Sequence, residues 1–363
     1  MVEWKASLSA LERYEDEYDA VCKAGVAARV NASQASPLSA ASPADSAPPP
    51  SSSQDAAADA AALDHQGGTR IGPYTNCTPI AEGVTSEVYR SGSNALKVIT
   101  THRSMEPHSP RREAKILALL SQCPSVVTLL DVFQDHEQRM VLRFPYMPLT
   151  LADVIDRDGD GSTAGHAGTG LPGSHLRAIF HDALSALAFI HDMGIVHRDV
   201  KPSALLLASP SGPARLSDFG TAWHPALSAA TEPPGDKILD IGTGPYRAPE
   251  VLFGDKAYGA AVDMWSLGVA LAEAASGAPP FASRPASEDG SQLGLILSIF
   301  QTLGTPTPDT WPEARAFKVS PFELWTVFPR RSWAEILPRV DDVTRTAVAA
   351  MVRFDGNRMT AAQ

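Results

Sequence analysis

An α+β fold of two unequal lobes is predicted, a β-rich one over residues 71–147 and a larger helical one over 148–363. Short β-branched runs separated by turn residues crowd the first region. Apolar residues spaced three and four apart dominate the second. The 363 residues are 44% apolar, enough for a core of ordinary size, which excludes global disorder.

Ahead of the lobes, Trp4, Leu8, Leu11, Tyr14, Tyr18 and Val21 recur at helical spacing, and residues 1–30 are expected to form a helical segment. From Asn31 to Asp64 the sequence is nearly all Ala, Ser, Pro and acid, within a linker placed at 31–70. Such a stretch buries too little apolar surface to offset ordering entropy, so the linker is expected to be disordered. Ordered chain resumes near Ile71. Strands are expected at 87–90 and 95–100, a helix at 110–121, and a strand pair at 126–133 and 140–144. After Pro148 the pattern turns helical, at 176–193, 261–276, 293–303 and 343–353.

Composition narrows the functional classes. A net charge of −11 has the wrong sign for coating nucleic acid. Three widely spaced cysteines, Cys22, Cys77 and Cys123, argue against a disulfide framework or a zinc ribbon and for a reducing compartment. The N-terminus lacks an apolar core, and its first 20 residues hold six acids against two bases, unlike a transit peptide. No apolar run approaches the ~18 residues of a membrane span. The D-R-D-G-D-G run at 156–161 imitates a calcium loop, but Ala167 stands where the bidentate glutamate is required, so a flexible insertion is expected.

Separated segments fall into a telling order. Residues 80–89 read I-A-E-G-V-T-S-E-V-Y, and A-L-K ends at Lys97. Glu113 follows on the first helix. Then come I-V-H-R-D-V-K-P-S-A at 195–204, D-F-G at 218–220 and Y-R-A-P-E at 246–250. Alone, each piece is ordinary; together, over residues 71–363, they resemble the eukaryotic protein kinase signature set.

That resemblance implies the bilobal protein kinase fold, ATP and Mg²⁺ as cofactors, and a protein hydroxyl as acceptor. Lys97 and Glu113 would align the phosphates, Asp218 would hold the metal, and Asp199 would accept the hydroxyl proton. Lys201 and Thr243 would assist beside it, as in Ser/Thr-directed enzymes. Ile80, Ala81, Gly83, Ser86, Val88, Ala95, Phe144, Pro145, Met147 and Leu205 would line the nucleotide pocket. Phe144 would be gatekeeper, and Met147 the hinge donor to adenine. Pro145 lacks only an N–H the contact does not use.

Departures matter as much. Ala81 and Ser86 replace the outer glycines of the phosphate loop, making positive φ harder to adopt there. Ala204 replaces the asparagine that ligates a second Mg²⁺ and has no oxygen to offer. A pseudokinase scaffold is therefore the alternative reading.

The run at 295–313, the D-M-W-S-L-G at 263–268 and Arg358 as partner of Glu250 resemble cyclin-dependent kinases. The helix around Arg112 matches the cyclin-binding version poorly, which counts against a cyclin subunit. Trp223 replaces an arginine of the phosphothreonine pocket, and Ile238 replaces the threonine itself. Glu232, Asp236 and Asp240 are acids that could pair with Arg112 and Arg198 instead. The D-F-G-T-A-W run and the F-P-Y-M-P-L hinge resemble fungal single-subunit kinases that activate cyclin-dependent kinases. The partners implied are a protein substrate, itself a kinase, with no nucleic acid and no membrane. A monomer in the nucleus or cytoplasm is expected. The chain stops where such kinases begin their last helix, so that helix is expected to be absent or cut off.

Overall fold

Alternation of side chains along one strand decides the small lobe. On β4 (Asn94–Ile99), Leu96 and Val98 are fully buried on one face, where they join Ile71, Cys77 and Val141 in a satellite core. Lys97 and Ile99 point to the other face, toward the rest of the molecule. In this computed structural model, which describes residues 68–101, 105–159, 170–282, 292–323 and 326–363, β4 sits inside a six-stranded antiparallel sheet. Its neighbours are β1 (Thr69–Ile71), β2 (Tyr74–Glu82), β3 (Ser86–Ser91), β5 (Asp131–Gln134) and β6 (Met140–Pro145), in the order β1-β2-β3-β4-β6-β5. α1 (Pro110–Leu119) crosses from β4 to β5. Ser109 caps it, its Oγ accepting the Arg112 N–H, and Pro110 opens its first turn.

The large lobe is built on α5 (Ala261–Ser276), buried around nearly its whole circumference. It is preceded by α2 (Leu151–Gly159), α3 (Gly173–Asp192) and the one-turn α4 (Pro249–Leu252). It is followed by α6 (Leu293–Leu303), α7 (Trp333–Ile336) and α8 (Asp342–Met351). A Cβ on Gly268 of α5 would fall 2.7 Å from both Met351 Cβ and Val352 Cγ2, so glycine permits the close approach of α8. Arg358 returns to Glu250 with paired contacts of 2.6 and 3.0 Å, anchoring the chain beyond α8 to α4. No described helix is long and apolar enough to cross a membrane.

Several expectations shift. The large lobe is not purely helical after residue 148. β7 (Leu149–Thr150), β8 (Leu205–Leu207) and β9 (Ala214–Leu216) form a small antiparallel sheet. Strands of two or three residues are too short to register as a periodicity. Of the expected 126–133 strand only 131–133 is extended sheet, within β5, and Val126 makes a single parallel bridge to Leu216. β1 begins at Thr69, inside the stretch expected as linker, because its backbone pairs with β2 around Cys77. α2 runs to Gly159, so the calcium-loop imitation starts in a helix. The rest of that insertion, the 1–30 helix and the linker up to residue 67 lie outside the described residues.

The Glu250–Arg358 pair is largely buried on both sides, so removing one partner strands the other charge. Arg358→Met should cost about 3–5 kcal/mol of stability, measured as a fall in the chemical-denaturation midpoint. A midpoint within error of wild type would contradict that.

Candidate active site

Lys97 faces the interlobe side of its sheet because β4 alternates. Its ammonium lies 2.7 and 2.9 Å from the Glu113 carboxylate and 3.0 Å from Asp218 Oδ1. Glu113 occupies the first turn of α1, where the helix dipole favours an acid. The start of that helix is tied to the D-F-G turn, since Ser109 N–H donates to the Gly220 carbonyl at 3.0 Å. Burial opposes the Lys97 charge, but the Asp218 and Glu113 carboxylates outweigh it and hold the ammonium above the usual lysine range. The same ammonium holds the Asp218 carboxyl far below the usual carboxylate range, against the burial of its surroundings.

The loop between α3 and β8 is hung from α5. The fully buried Asp263 carboxylate accepts the backbone N–H of His197 and of Arg198, both at 2.8 Å, and contacts His191 Nε2 at 2.9 Å. Arg198 is left-handed, with φ +72°. Asp199, next in sequence, accepts Thr243 Oγ1 at 2.7 Å and Lys201 Nζ at 2.6 Å, and Lys201 also donates to Thr243 at 2.9 Å. His197 is a buried bridge, its Nε2 2.8 Å from the Ser217 carbonyl and its ring edge-on to Phe219.

The nucleotide-side residues gather around the β2–β3 hairpin and the end of β6. Ile80, Ala81 and Gly83 are exposed, Val88 is half-buried, and Ser86 is buried with its carbonyl accepting Gly83 N–H at 2.8 Å. No residue from 80 to 88 has positive φ, so Ala81 and Ser86 carry no backbone strain, and the hairpin takes its shape without the conformation that their side chains disfavour. Ala95 pairs with Phe144 and Asn94 with Pro145 across β4 and β6. Tyr146 N–H donates to Ser93, and among the described residues no acceptor takes the Met147 N–H.

Leu205 is a correction. It is fully buried on β8 and offers no surface to a ligand. Leu206, on the opposite face of β8, keeps accessible surface and replaces it as the pocket candidate. Residues 205–207 are all leucine, so no polar residue marks which face is which and the sequence holds no signal to separate them.

Asp218 fits a metal-binding role: it is half-exposed, left-handed in backbone, and projects a carboxylate beside the lysine. A second donor is missing. Ala204 is buried, and its carbonyl is taken by both the N–H and the Oγ of Ser217, each at 2.9 Å. Ser217 is thereby committed too. The donor set present fits one metal site at Asp218 and lacks the asparagine's contribution.

Of the three acids expected to meet the arginines, only Glu232 does. Asp236 pairs with Lys256 at 2.6 Å and Asp240 with Arg247 at 2.7 Å, both near the surface.

Residues 74–337 match the family model described as the protein kinase domain, so the chain belongs to the protein kinase family. Among curated relatives, serine/threonine-protein kinase csk1 of Schizosaccharomyces pombe is 33% identical, the match covering 77% of this chain and 89% of that one. Cyclin-dependent kinases B2-2 and B2-1 of Arabidopsis thaliana are 31% and 30% identical over 76% of this chain, covering 85% and 86% of theirs. The chain is a Ser/Thr protein kinase of the cyclin-dependent-kinase-like branch. Its family uses ATP and Mg²⁺ and acts on proteins.

The charge cluster carries a pH-dependent prediction. With Lys97 present, the folded-state Asp218 pKa lies below its unfolded value, so it adds stability above the unfolded pKa of ~3.9 that is lost as pH falls. In Lys97→Met, Asp218 keeps its burial and the nearby Glu113 but loses its largest favourable charge, with Lys201 remaining, so its folded pKa moves up and the stability its charge adds as pH rises is reduced. The thermal midpoint gap between wild type and Lys97→Met should therefore widen from pH 4.5 to pH 7. An unchanged gap would rule out this coupling.

Proposed function

We propose that this kinase transfers the ATP γ-phosphoryl group to a hydroxyl in the activation loop of another kinase, a cyclin-dependent one. The observation that carries the transfer chemistry is the triangle of Asp199, Lys201 and Thr243. Asp199 has one carboxylate oxygen on each partner, poised to orient an incoming hydroxyl and take its proton. As the substrate oxygen bonds to the γ-phosphorus, the bond to the β,γ-bridging oxygen breaks and ADP leaves. Lys201, held beside Asp199 and Thr243, would stabilise the transferred group, while Lys97, fixed by Glu113, steadies the phosphates.

Magnesium, when bound, neutralises charge on the phosphate oxygens. Asp218 would hold it, with no help from Ala204. The hinge would take adenine through the Pro145 carbonyl and Met147. What supports the choice of substrate is the F-P-Y-M-P-L hinge and D-F-G-T-A-W run, similar to fungal activators of cyclin-dependent kinases, and the fission-yeast relative. No cyclin is needed in this reading, and the enzyme acts as a monomer.

The missing oxygen at Ala204 favours one second reading: a scaffold that binds a partner kinase without transfer. Radiolabel transfer to a cyclin-dependent kinase separates the two. Asp199→Asn should reduce label by about 10²–10⁴-fold; equal signal from both proteins would sink the enzyme reading. Failure on that substrate with activity on a generic basic protein would overturn only the choice of substrate.

The single metal donor gives a further expectation. Wild type should need more Mg²⁺ for half-maximal rate than Ala204→Asn, and the variant should turn over faster. Superimposable Mg²⁺ titrations would contradict the assignment.

A further inference from the structure

The chain between the D-F-G turn and Thr243 closes over a buried carboxylate, that of Glu232. Glu232 has no exposed surface, although its segment lies on the outside of the molecule. Its Oε2 lies 2.5 Å from Arg198 Nη1 and accepts Ile238 N–H at 3.0 Å. Its Oε1 accepts Arg198 Nη2 at 3.1 Å, with Arg112 Nη1 at 3.8 Å. Its backbone carbonyl accepts Trp223 Nε1 at 2.9 Å. Burial opposes the charge, but the hydrogen bond and charge of Arg198 prevail and keep the carboxyl below the usual glutamate range.

Each arginine leads to the reacting centre. Arg198 precedes Asp199, and its side chain is fully buried, with Nε on the Thr221 carbonyl and Nη1 also on Tyr258 Oη. Arg112 precedes Glu113, the partner of Lys97. The third tie, through Ile238 N–H, reaches the stretch that delivers Thr243 to Asp199. One side chain therefore links α1, the Asp199 loop and the Thr243 approach. Between 224 and 242 the only hydroxyl side chains are Ser228, fully buried and accepting His224 N–H, and Thr231.

We propose that Glu232 is a positioning residue for phosphoryl transfer: its carboxylate sets Asp199, Glu113 and Thr243 in register, so the enzyme is competent as synthesised, with no phosphate on residues 224–242. This rests on Asp199 being the base of the reaction, as read above, and not on which protein is phosphorylated. Phosphoryl transfer depends on positioning, and a displacement near 1 Å costs about 10²-fold in rate. An isosteric amide at 232 would turn an N–H₂ toward a guanidinium that already has donors to spare. Glu232 hydrogen-bonds Arg198, beside Asp199, directly, whereas it reaches Glu113 only through Arg112 at 3.8 Å, and Glu113 keeps its own bonds to Lys97, so the larger loss belongs in kcat rather than in KM for ATP.

The test compares the full-length chain as wild type, Asp199→Asn, Glu232→Gln and Glu232→Asp on one protein acceptor. Thermal midpoints are measured alongside. Glu232→Gln should lower kcat by about 10²-fold with KM for ATP within about twofold, and Glu232→Asp, which keeps the charge, should recover part of the loss. Wild type treated with phosphatase, and shown by mass to carry no phosphate on 224–242, should keep its full rate. Glu232→Gln retaining kcat within twofold would overturn the proposal, as would phosphatase-treated wild type losing activity. The phosphatase arm decides even where a variant does not fold. Wild type and Asp199→Asn giving equal transfer would instead overturn the assignment of the base.

Discussion

Two hydrogen bonds, from the backbone N–H groups of His197 and Arg198 to the buried Asp263 carboxylate, are the constraint on which the rest of the site depends. Arg198 is held at φ +72°, a conformation that costs a non-glycine residue about 1–3 kcal/mol unless its surroundings impose it. Asp263 imposes it, from the first turn of a helix that is itself enclosed by apolar side chains. The turn at Arg198 sends its side chain inward to Glu232 and leaves Asp199 facing Lys201 and Thr243. Without the bracket from α5, neither half of that arrangement has a reason to persist.

From this fixed loop the molecule distributes charge in two clusters. Lys97 with Glu113 and Asp218 serves the phosphates; Arg198 and Arg112 with Glu232 serve the loop geometry. The first sits where a carboxylate remains half-exposed, open to a cation and a polyanion. The second is closed, and its burial makes it an internal tie. Residues 112 and 113 join the two, because successive residues on the first turn of α1 send one side chain to each cluster. Buried charges of this kind are poor net stabilisers; their consequence is that the loop has one arrangement in which no charge is stranded.

The parts legible in the sequence were those where chemistry forces a residue type at a spacing: Lys97 with Glu113, Asp199 with Lys201, Asp218, and Asp263 in the first turn of an apolar helix. Long helices were legible for the same reason, since 261–276 and 293–303 repeat their pattern over several turns. The short sheet of β7, β8 and β9 was not, because two or three residues define no period. The choice between Leu205 and Leu206 failed by one residue, and in a strand one residue is the whole difference between core and cleft. Sequence could name Glu232, Asp236 and Asp240 as partners for the arginines. It could not choose among them, because the choice is made by how 224–241 folds back over Arg198, and no local spacing records that.

The two departures from the family pattern bear on different sides of the reaction. Ala204 removes a side-chain oxygen from the nucleotide side, and its own carbonyl is already taken by Ser217. Glu232 places a permanent carboxylate on the protein-substrate side, where Ile238 has no hydroxyl to modify. The first weakens electrostatic stabilisation of the phosphates; the second secures the geometry in which the remaining groups act. Both bear on the Asp199 loop, which holds Ala204 five residues beyond the base and which Glu232 reaches through Arg198. Their effects on rate are therefore coupled: a base with less support at one flank depends more on what is fixed at the other.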